Sequence, residues 1–130
     1  MEYTIQQKPG YFEVTAKGRT RPDDFNELCA RLFEHAGWQP GTPVLFDFRE
    51  MDFSLFDVNL IKETAEITRN NAPQWQTARL AVVLDSDLGL GLGNMWLSYS
   101  NDVQAEIKIF RDYPPAPAWV SEPPSTAAVG

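Results

Sequence analysis

The sequence predicts a single α/β domain in which an N-terminal β-hairpin is followed by alternating helices and strands, in the order ββαβαβαβα. Two short polar–apolar alternations open the chain, two continuous apolar runs follow, and amphipathic helical stretches separate them. Alternation is typical of strands with one exposed face, and continuous apolar runs are typical of central strands covered on both faces. We therefore expect a mixed, mostly parallel sheet packed by helices.

The hairpin and the first helix occupy the start of the chain. Residues 3–7 and 12–17 alternate apolar and polar side chains, and Pro9 and Gly10 between them suit the central positions of a type II turn. Apolar residues between positions 25 and 36 then recur at the spacing of one helical face. We predict that this helix begins at residues 20–22 and ends at Gly37.

The apolar runs at residues 43–48 and 78–84 predict two central parallel strands. The helix between them has Val58, Ile61 and Ala65 on one face. Ser54 is its expected N-cap, and Asp57 falls in its first turn, where a carboxylate is favourable. This second helix should end near residues 70–71, because Pro73 follows.

A glycine-rich segment, residues 89–93, follows the second apolar run. We interpret it as a flexible strand-to-helix turn, because glycine marks turns. The other interpretation is a phosphate-binding loop, but the segment lacks both a following lysine and the full dinucleotide-binding spacing. A third helix follows, with these residues on one face: Leu92, Met95, Trp96, Tyr99 and Val103.

The last elements are a strand at residues 106–110 and a short closing helix. We expect Asp112 to cap this helix, with Pro114 or Pro115 in its first turn and Val120 near its end. Five of the ten prolines lie between residues 114 and 124. The sequence therefore predicts one domain over residues 1–120 and a flexible, proline-rich tail over 121–130.

Composition excludes several classes of function. The chain has 130 residues, with 18 Asp and Glu against 11 Lys and Arg, and this net charge of −7 disfavours binding to nucleic acid. A single cysteine, Cys29, excludes an internal disulfide, and with the lone His35 it leaves no ligand set for a cysteine-based zinc site. Because the first residues lack an apolar signal core, we expect a cytoplasmic protein without integral membrane association.

Two segments near the end of the chain carry a family resemblance. The first is the run RLAVVLD at residues 79–85, and the second is IKIFRD at residues 107–112 with APAWV at 116–120. With the order of elements, they resemble the last two strands and the closing helix of the SpoIIAA-like proteins. These are small bacterial α/β domains of the STAS/SEC14 (CRAL-TRIO-like) domain superfamily. The resemblance covers residues 3–120.

The resemblance implies a regulatory or binding module. STAS relatives include anti-sigma-factor antagonists controlled by serine phosphorylation at the start of a helix. An ungapped alignment on Asp47 and Phe53 places Phe56 or Asp57 at the phosphorylated position, and Ser54 is displaced from it. Ser54 is therefore either the candidate regulatory residue or an N-cap. The SEC14 branch implies an apolar cleft for a lipid-like molecule.

The loops after the parallel strands are rich in carboxylates. Ligands of α/β sheets bind beyond the carboxyl ends of the strands, so Asp47, Asp85 and Asp87 are the candidate ligands of a metal ion or a receiver-like pocket. The alternative is that these acids cap helices and solvate loops. Seven carboxylates against Arg49 and Arg111 give these loops a net charge of −5. This charge favours a neutral ligand, a cation or a basic partner surface.

Six apolar side chains are the candidate ligand or partner contacts. They fall near the second and third predicted helices, and we expect them to line an apolar cleft, to form a dimer patch or to lie in the core: Phe53, Phe56, Trp75, Met95, Trp96 and Tyr99. Two phenylalanines in an acidic loop are hard to bury together. Phe53 and Phe56 are therefore the strongest candidates of the six.

The sequence provides no nucleophile–base pair, so no catalytic residue and no cofactor is predicted. We expect a non-enzymatic binding or regulatory module that acts through a protein–protein surface or an apolar cleft, with a protein or an apolar small molecule as partner. A homodimer is also open. Two alternatives remain, which are a carrier of a lipid-like small molecule and a metal-dependent enzyme or receiver-like domain using the strand-end carboxylates.

Overall fold

The five strands form one sheet whose spatial order follows the chain, β1-β2-β3-β4-β5. The computed structural model describes residues 1–122. β1 runs antiparallel to β2, and every other neighbouring pair is parallel. The elements are β1 (Glu2–Lys8), β2 (Tyr11–Arg19), α1 (Pro22–Glu34), β3 (Val44–Asp52), α2 (Val58–Asn70), α3 (Ala72–Trp75), β4 (Arg79–Val83), α4 (Asp87–Tyr99), β5 (Glu106–Phe110) and α5 (Pro115–Ser121). This arrangement confirms the predicted α/β fold class.

The strand order decides where the helices lie. Connections between parallel strands are almost always right-handed, and the order of β2 to β5 never reverses. The crossovers through α1, α2 and α4 therefore lie on the same face of the sheet. Leu28 and Leu32 of α1 and Trp96 of α4 accordingly pack in one hydrophobic core with Val14 of β2 and Val82 of β4.

The opposite face of the sheet is covered by α5. Ala116 and Val120 of this helix pack on Leu45, Ala81 and Val83. The loop before α5 is fixed by a hydrogen bond in which the Tyr113 hydroxyl donates to the buried Glu13 carboxylate, at 2.8 Å.

The buried Arg79 holds the end of α5. Its guanidinium donates to the carbonyl of Trp119 at 2.8 Å and pairs with the Glu122 carboxylate at 3.3 Å. Domain structure therefore continues past residue 120, because Ser121 is helical and Glu122 is bound to β4. The rest of the predicted tail, residues 123–130, lies outside the described residues.

The start of α2 corrects the prediction that Ser54 is its N-cap. The N-cap is Asp57, whose Oδ1 accepts the Leu60 backbone N–H at 2.9 Å. The Asp52 carboxylate accepts the Ser54 backbone N–H at 2.9 Å, and the Phe56 N–H donates to the Phe53 carbonyl, so residues 52–56 form turns. The helix begins late because β3 continues to Asp52 in register with β2.

The prediction that the glycine-rich segment forms a turn is also wrong, because residues 89–93 lie inside α4. Ser86 caps the helix ahead of the glycines, and its Oγ accepts the Gly89 N–H at 3.0 Å. Gly93 is buried, and a Cβ there would lie 2.5 Å from Leu84 Cδ1 and 3.2 Å from Ile109 Cδ1. The glycines therefore let α4 approach the sheet closely.

The closing elements agree in part with the prediction. β5 has both of its predicted bounds, but α5 begins at Pro115 with Pro114 as N-cap, so Asp112 does not cap it. A proline suits the first helical position because its missing N–H would have no helical partner there. The short helix α3 was not predicted, since it spans only one turn around Pro73.

Two glycines of α4 offer a matched test of this packing. Replacing Gly91, which has nothing within 4 Å of its Cβ position, by alanine should stabilise the protein by about 1 kcal/mol through helix propensity. Gly93→Ala gains the same propensity but presses on Leu84, so it should be less stable than Gly91→Ala by about 1–3 kcal/mol. Urea unfolding midpoints measure both, and equal stabilisation by the two variants would contradict the close approach of α4.

Candidate functional site

An apolar cavity of about 100 Å³ lies between the sheet and the helices α1, α2 and α4, which cover one face of it and crowd that face. Its wall is formed by α1, β3, the β3–α2 loop, α2, α3, β4 and α4. The lining residues are Phe25, Leu28, Cys29, Phe46, Phe48, Phe53, Phe56, Ile61, Thr64, Ile67, Thr68, Trp75, Leu80, Val82, Leu84, Gly89, Leu92, Gly93 and Trp96. The wall thus has seven aromatic side chains and no charged one.

The polar groups of this wall bond to one another or to the backbone. The Thr64 hydroxyl donates to the Leu60 carbonyl at 2.8 Å, and the Thr68 hydroxyl donates to the Thr64 carbonyl at 3.1 Å. The indole N–H of Trp96 donates to the Thr68 hydroxyl, and that of Trp75 donates to the Thr68 carbonyl. Because these donors are already engaged, the wall offers an occupant mainly dispersion and aromatic contacts.

Seven lining residues are only half-buried, namely Phe25, Phe48, Phe53, Phe56, Thr64, Leu92 and Trp96. Three of these, Phe25, Phe53 and Phe56, lie where α1 and α2 begin, and we take this end as the opening of the cavity and call these three residues the mouth. Phe56 makes edge-to-face contacts with both other rings, at centroid distances of 5.5 Å to Phe53 and 6.4 Å to Phe25. Phe53 and Phe56 belong to the short loop between β3 and α2, so the mouth is formed partly by turns rather than by regular structure.

The structure brings together four of the six predicted contact residues. Phe53, Phe56, Trp75 and Trp96 line the cavity. Met95 and Tyr99 are not among its lining residues, which corrects their assignment to the cleft. The Tyr99 ring instead lies at the surface, 36% exposed.

Several lining residues were missed from the sequence. Phe25 and Cys29 of α1 were assigned to the core, and the glycines of α4 to a turn. The signal available for Gly89 and Gly93 is their i, i+4 spacing, which places both on one helical face. Burial raises the pKa of the Cys29 thiol to about 12, so the sulfur contributes to the wall as a neutral, apolar group.

Ser54, the candidate regulatory residue, is exposed and does not line the cavity. Ser54 lies between Phe53 and Phe56 in the sequence, and its backbone N–H donates to the Asp52 carboxylate. Hydrogen bonds from the Ser54 side chain and backbone lower the pKa of Asp52, and this carboxylate also pairs with Arg19 at 3.8 Å.

The strand-end carboxylates do not assemble into a metal centre. Asp47 forms a bidentate pair with Arg49, at 2.9 Å to Nε and 2.8 Å to Nη2, and Asp87 pairs with Arg111 at 3.2 Å. Among residues 1–122, no group of three His, Cys, Asp or Glu side chains is arranged to hold a metal ion. The strand order has no reversal between parallel neighbours, so it also lacks the crevice that such a reversal creates.

The pairing of Asp47 changes its acidity. Burial alone would raise the pKa of this carboxyl, but hydrogen bonds from the Arg49 side chain and backbone, together with the arginine charge, more than offset burial. The pKa of Asp47 therefore lies below its ordinary value of 3.8. The Arg49 guanidinium also lies over the Tyr113 ring, 4.7 Å from its centroid, which connects the pair to the loop before α5.

Comparison with solved structures decides the fold. A crystal structure from Shewanella loihica PV-4 superposes with a TM-score of 0.61, covering 92% of this chain and 92% of that chain at 18% sequence identity. It is described as an uncharacterized protein from the DUF3478 family with a SpoIIAA-like fold. The fold is SpoIIAA-like. A scan of protein-family models gives no match, and a search of curated proteins gives no significant match.

The SpoIIAA-like fold confirms the resemblance seen in residues 79–85 and 107–120. At 18% identity the likeness extends to the architecture and not to a function. Within residues 1–122 of this SpoIIAA-like domain, no helix has the length and apolar character needed to cross a membrane.

The Asp47–Arg49 pair predicts how stability depends on pH. Because the folded-state pKa of Asp47 is lowered, the stability it contributes is present above pH about 4 and is lost as pH falls through the folded-state pKa. Arg49→Met should therefore destabilise the protein by about 1–2 kcal/mol at pH 7, an amount reduced by the partial exposure of Arg49.

The stability difference between this variant and the parent protein should shrink below pH 4, where Asp47 becomes protonated. Chemical denaturation at pH 7 and at decreasing pH measures both. Asp47→Asn combined with Arg49→Met is the control, since it leaves no buried charge without a partner. A difference that stays constant with pH would show that the pair is not the cause.

Proposed function

We propose that this SpoIIAA-like domain is a non-enzymatic binding module that takes up a small apolar molecule in the cavity between the sheet and α1, α2 and α4. The observation that supports it most is the wall itself, which has seven aromatic side chains and polar groups that are bonded within the protein. Small-molecule sites are generally concave and mostly apolar.

The size of the cavity and its apolar wall support the same proposal. An engineered apolar cavity of about 150 Å³ in another protein stays dry and binds benzene. The cavity of this domain has a similar scale, about 100 Å³. Water entering it would find the hydroxyls of Thr64 and Thr68 already donating to carbonyls, so an apolar occupant is favoured over water.

Cys29 provides a pair of variants that separate filling of the cavity from loss of packing. Cys29→Leu adds carbon atoms to the wall and should abolish binding of toluene, whereas Cys29→Ala enlarges the space and should preserve it. NMR titration of toluene into each protein, following the methyl signals of Ile61 and Leu84, measures the binding.

The stability of the Cys29→Leu variant gives a second measurement. Cys29→Leu should raise the free energy of unfolding by about 1–2 kcal/mol, because the added methylene groups are buried without displacing neighbours. In a filled core the same substitution would cost about 1–3 kcal/mol through overpacking. Failure of toluene to bind the parent protein, or equal binding by Cys29→Leu, would disprove the proposal.

A second candidate function, capture of a protein partner or a second copy of the chain, is favoured by exposed apolar side chains that are near lining residues in the sequence. Leu55 is 47% exposed, Val58 45% and Leu88 55%. Leu55 and Val58 flank Phe56 in sequence, and Leu88 precedes the lining residue Gly89. Clustered exposed apolar residues are typical of association sites.

Sedimentation of the parent protein and of the Leu55→Ser, Leu88→Ser double variant tests this second function. Self-association that disappears in the variant supports it, because neither side chain lines the cavity. A parent protein that stays monomeric over the accessible concentration range would exclude a homodimer through this surface.

A further inference from the structure

We propose that the ligand of this cavity is a compact molecule with a single-ring apolar portion and a cationic head that stays at the mouth. This inference rests on the proposed function and specifies the chemical class of the occupant. It excludes carboxylate and phosphate heads, and therefore free fatty acids and anionic lipids.

The size of the tail follows from the volume and the wall. A space of about 100 Å³ suits one six-membered ring with a short extension and not a long acyl chain. Rings of the wall already contact one another edge to face, as Trp75 and Phe46 do at a centroid distance of 6.2 Å. An aromatic guest would extend this packing, since offset and edge-to-face ring contacts contribute beyond burial of area.

The charge of the head follows from the carboxylates that adjoin the mouth. Asp52 and Asp57 flank Phe53 and Phe56 in sequence, and Asp85 follows the lining residue Leu84. Asp52 is paired with Arg19, and the charge of Asp85 also acts on the Arg49 guanidinium, but within residues 1–122 no Lys or Arg nitrogen lies within 4 Å of the Asp57 or Asp85 carboxylate. The field at the mouth therefore attracts a cation and repels an anion.

The rings of the mouth independently favour the same sign of charge. Phe25, Phe53 and Phe56 are half-buried, so each ring keeps part of its surface open to solvent. The face of an aromatic ring attracts an ammonium group within about 6 Å of its centroid and offers nothing comparable to a carboxylate. A cation at the mouth would thus meet aromatic faces and carboxylates together, while its ring occupies the cavity.

Three probes with the same ring and different heads test the proposal, namely 2-phenylethylamine, 2-phenylethanol and phenylacetate at pH 7. NMR titration should give dissociation constants in the order amine, alcohol, phenylacetate, with phenylacetate weaker than the amine by about fivefold or more in 20 mM salt. In 500 mM salt the ratio should fall, because screening weakens both the attraction and the repulsion.

Two double variants with equal changes in charge locate the effect. Asp57→Asn with Asp85→Asn should reduce the ratio between amine and phenylacetate by about half or more, and asparagine retains the capping role of residue 57. Glu34→Gln with Glu66→Gln, on exposed surfaces farther along α1 and α2, should leave the ratio unchanged.

The outcomes are distinguishable. If 2-phenylethanol does not bind, the proposed function itself fails, and this inference fails with it. If the alcohol binds but phenylacetate binds as tightly as the amine, or if the Asp57 and Asp85 substitutions have no more effect than the control pair, the inference is overturned while the proposed function stands.

Discussion

The unreversed strand order is the constraint on which the rest of this structure depends. Each parallel strand lies beside the next one in sequence, so right-handed connections direct α1, α2 and α4 to a single face of the sheet. Three helices must then share the space above five strands. Gly89 and Gly93 relieve the crowding by bringing α4 close to Leu84, and α5 covers part of the opposite face. The cavity lies on this face, where aromatic rings and branched aliphatic side chains form its wall together.

The wall of the cavity is stabilised by hydrogen bonds within the protein, and these bonds do not depend on a guest. Thr64, Thr68 and Trp96 connect α2 to α4 through their own hydrogen bonds, so the helices are held in place whether or not the cavity is occupied. The charged groups are segregated from this wall. Asp47 and Arg49 pair on the α5 side of the sheet, beside Tyr113, and the Asp57 and Asp85 side chains are exposed. The proposed apolar binding and the proposed discrimination by charge therefore use different parts of the molecule.

The sequence predicts those parts of the fold in which local pattern and tertiary environment agree. β5 was predicted at both bounds because polar and apolar residues alternate from Glu106 to Ile109, and the hairpin because Pro9 and Gly10 specify one turn, with Gly10 at a φ of +84°. The end of α2 near residue 70 follows from Pro73 in the same way. In each case a short-range rule of pattern or of backbone sterics suffices.

Prediction fails where a long-range contact decides between local alternatives. Ser54 and Asp57 are both good caps, and the pairing of β3 with β2 as far as Asp52 selects Asp57. The glycine-rich segment has the composition of a turn, and only its contact with the sheet makes it helical. Met95 and Trp96 are adjacent and both apolar, yet only the indole lines the cavity, because neighbouring helical positions point about 100° apart.

The hydrogen bond between Glu13 and Tyr113 has a consequence for how the chain folds. It joins residues 100 positions apart, whereas each strand pairs with its neighbour in sequence. The sheet can therefore grow by adding one strand and one helix at a time, with short loops to close, and local connectivity of this kind favours rapid folding. We expect the contact between β2 and the loop before α5 to form late, after the parallel strands are in place, so that the two ends of the domain are joined in its final folding step.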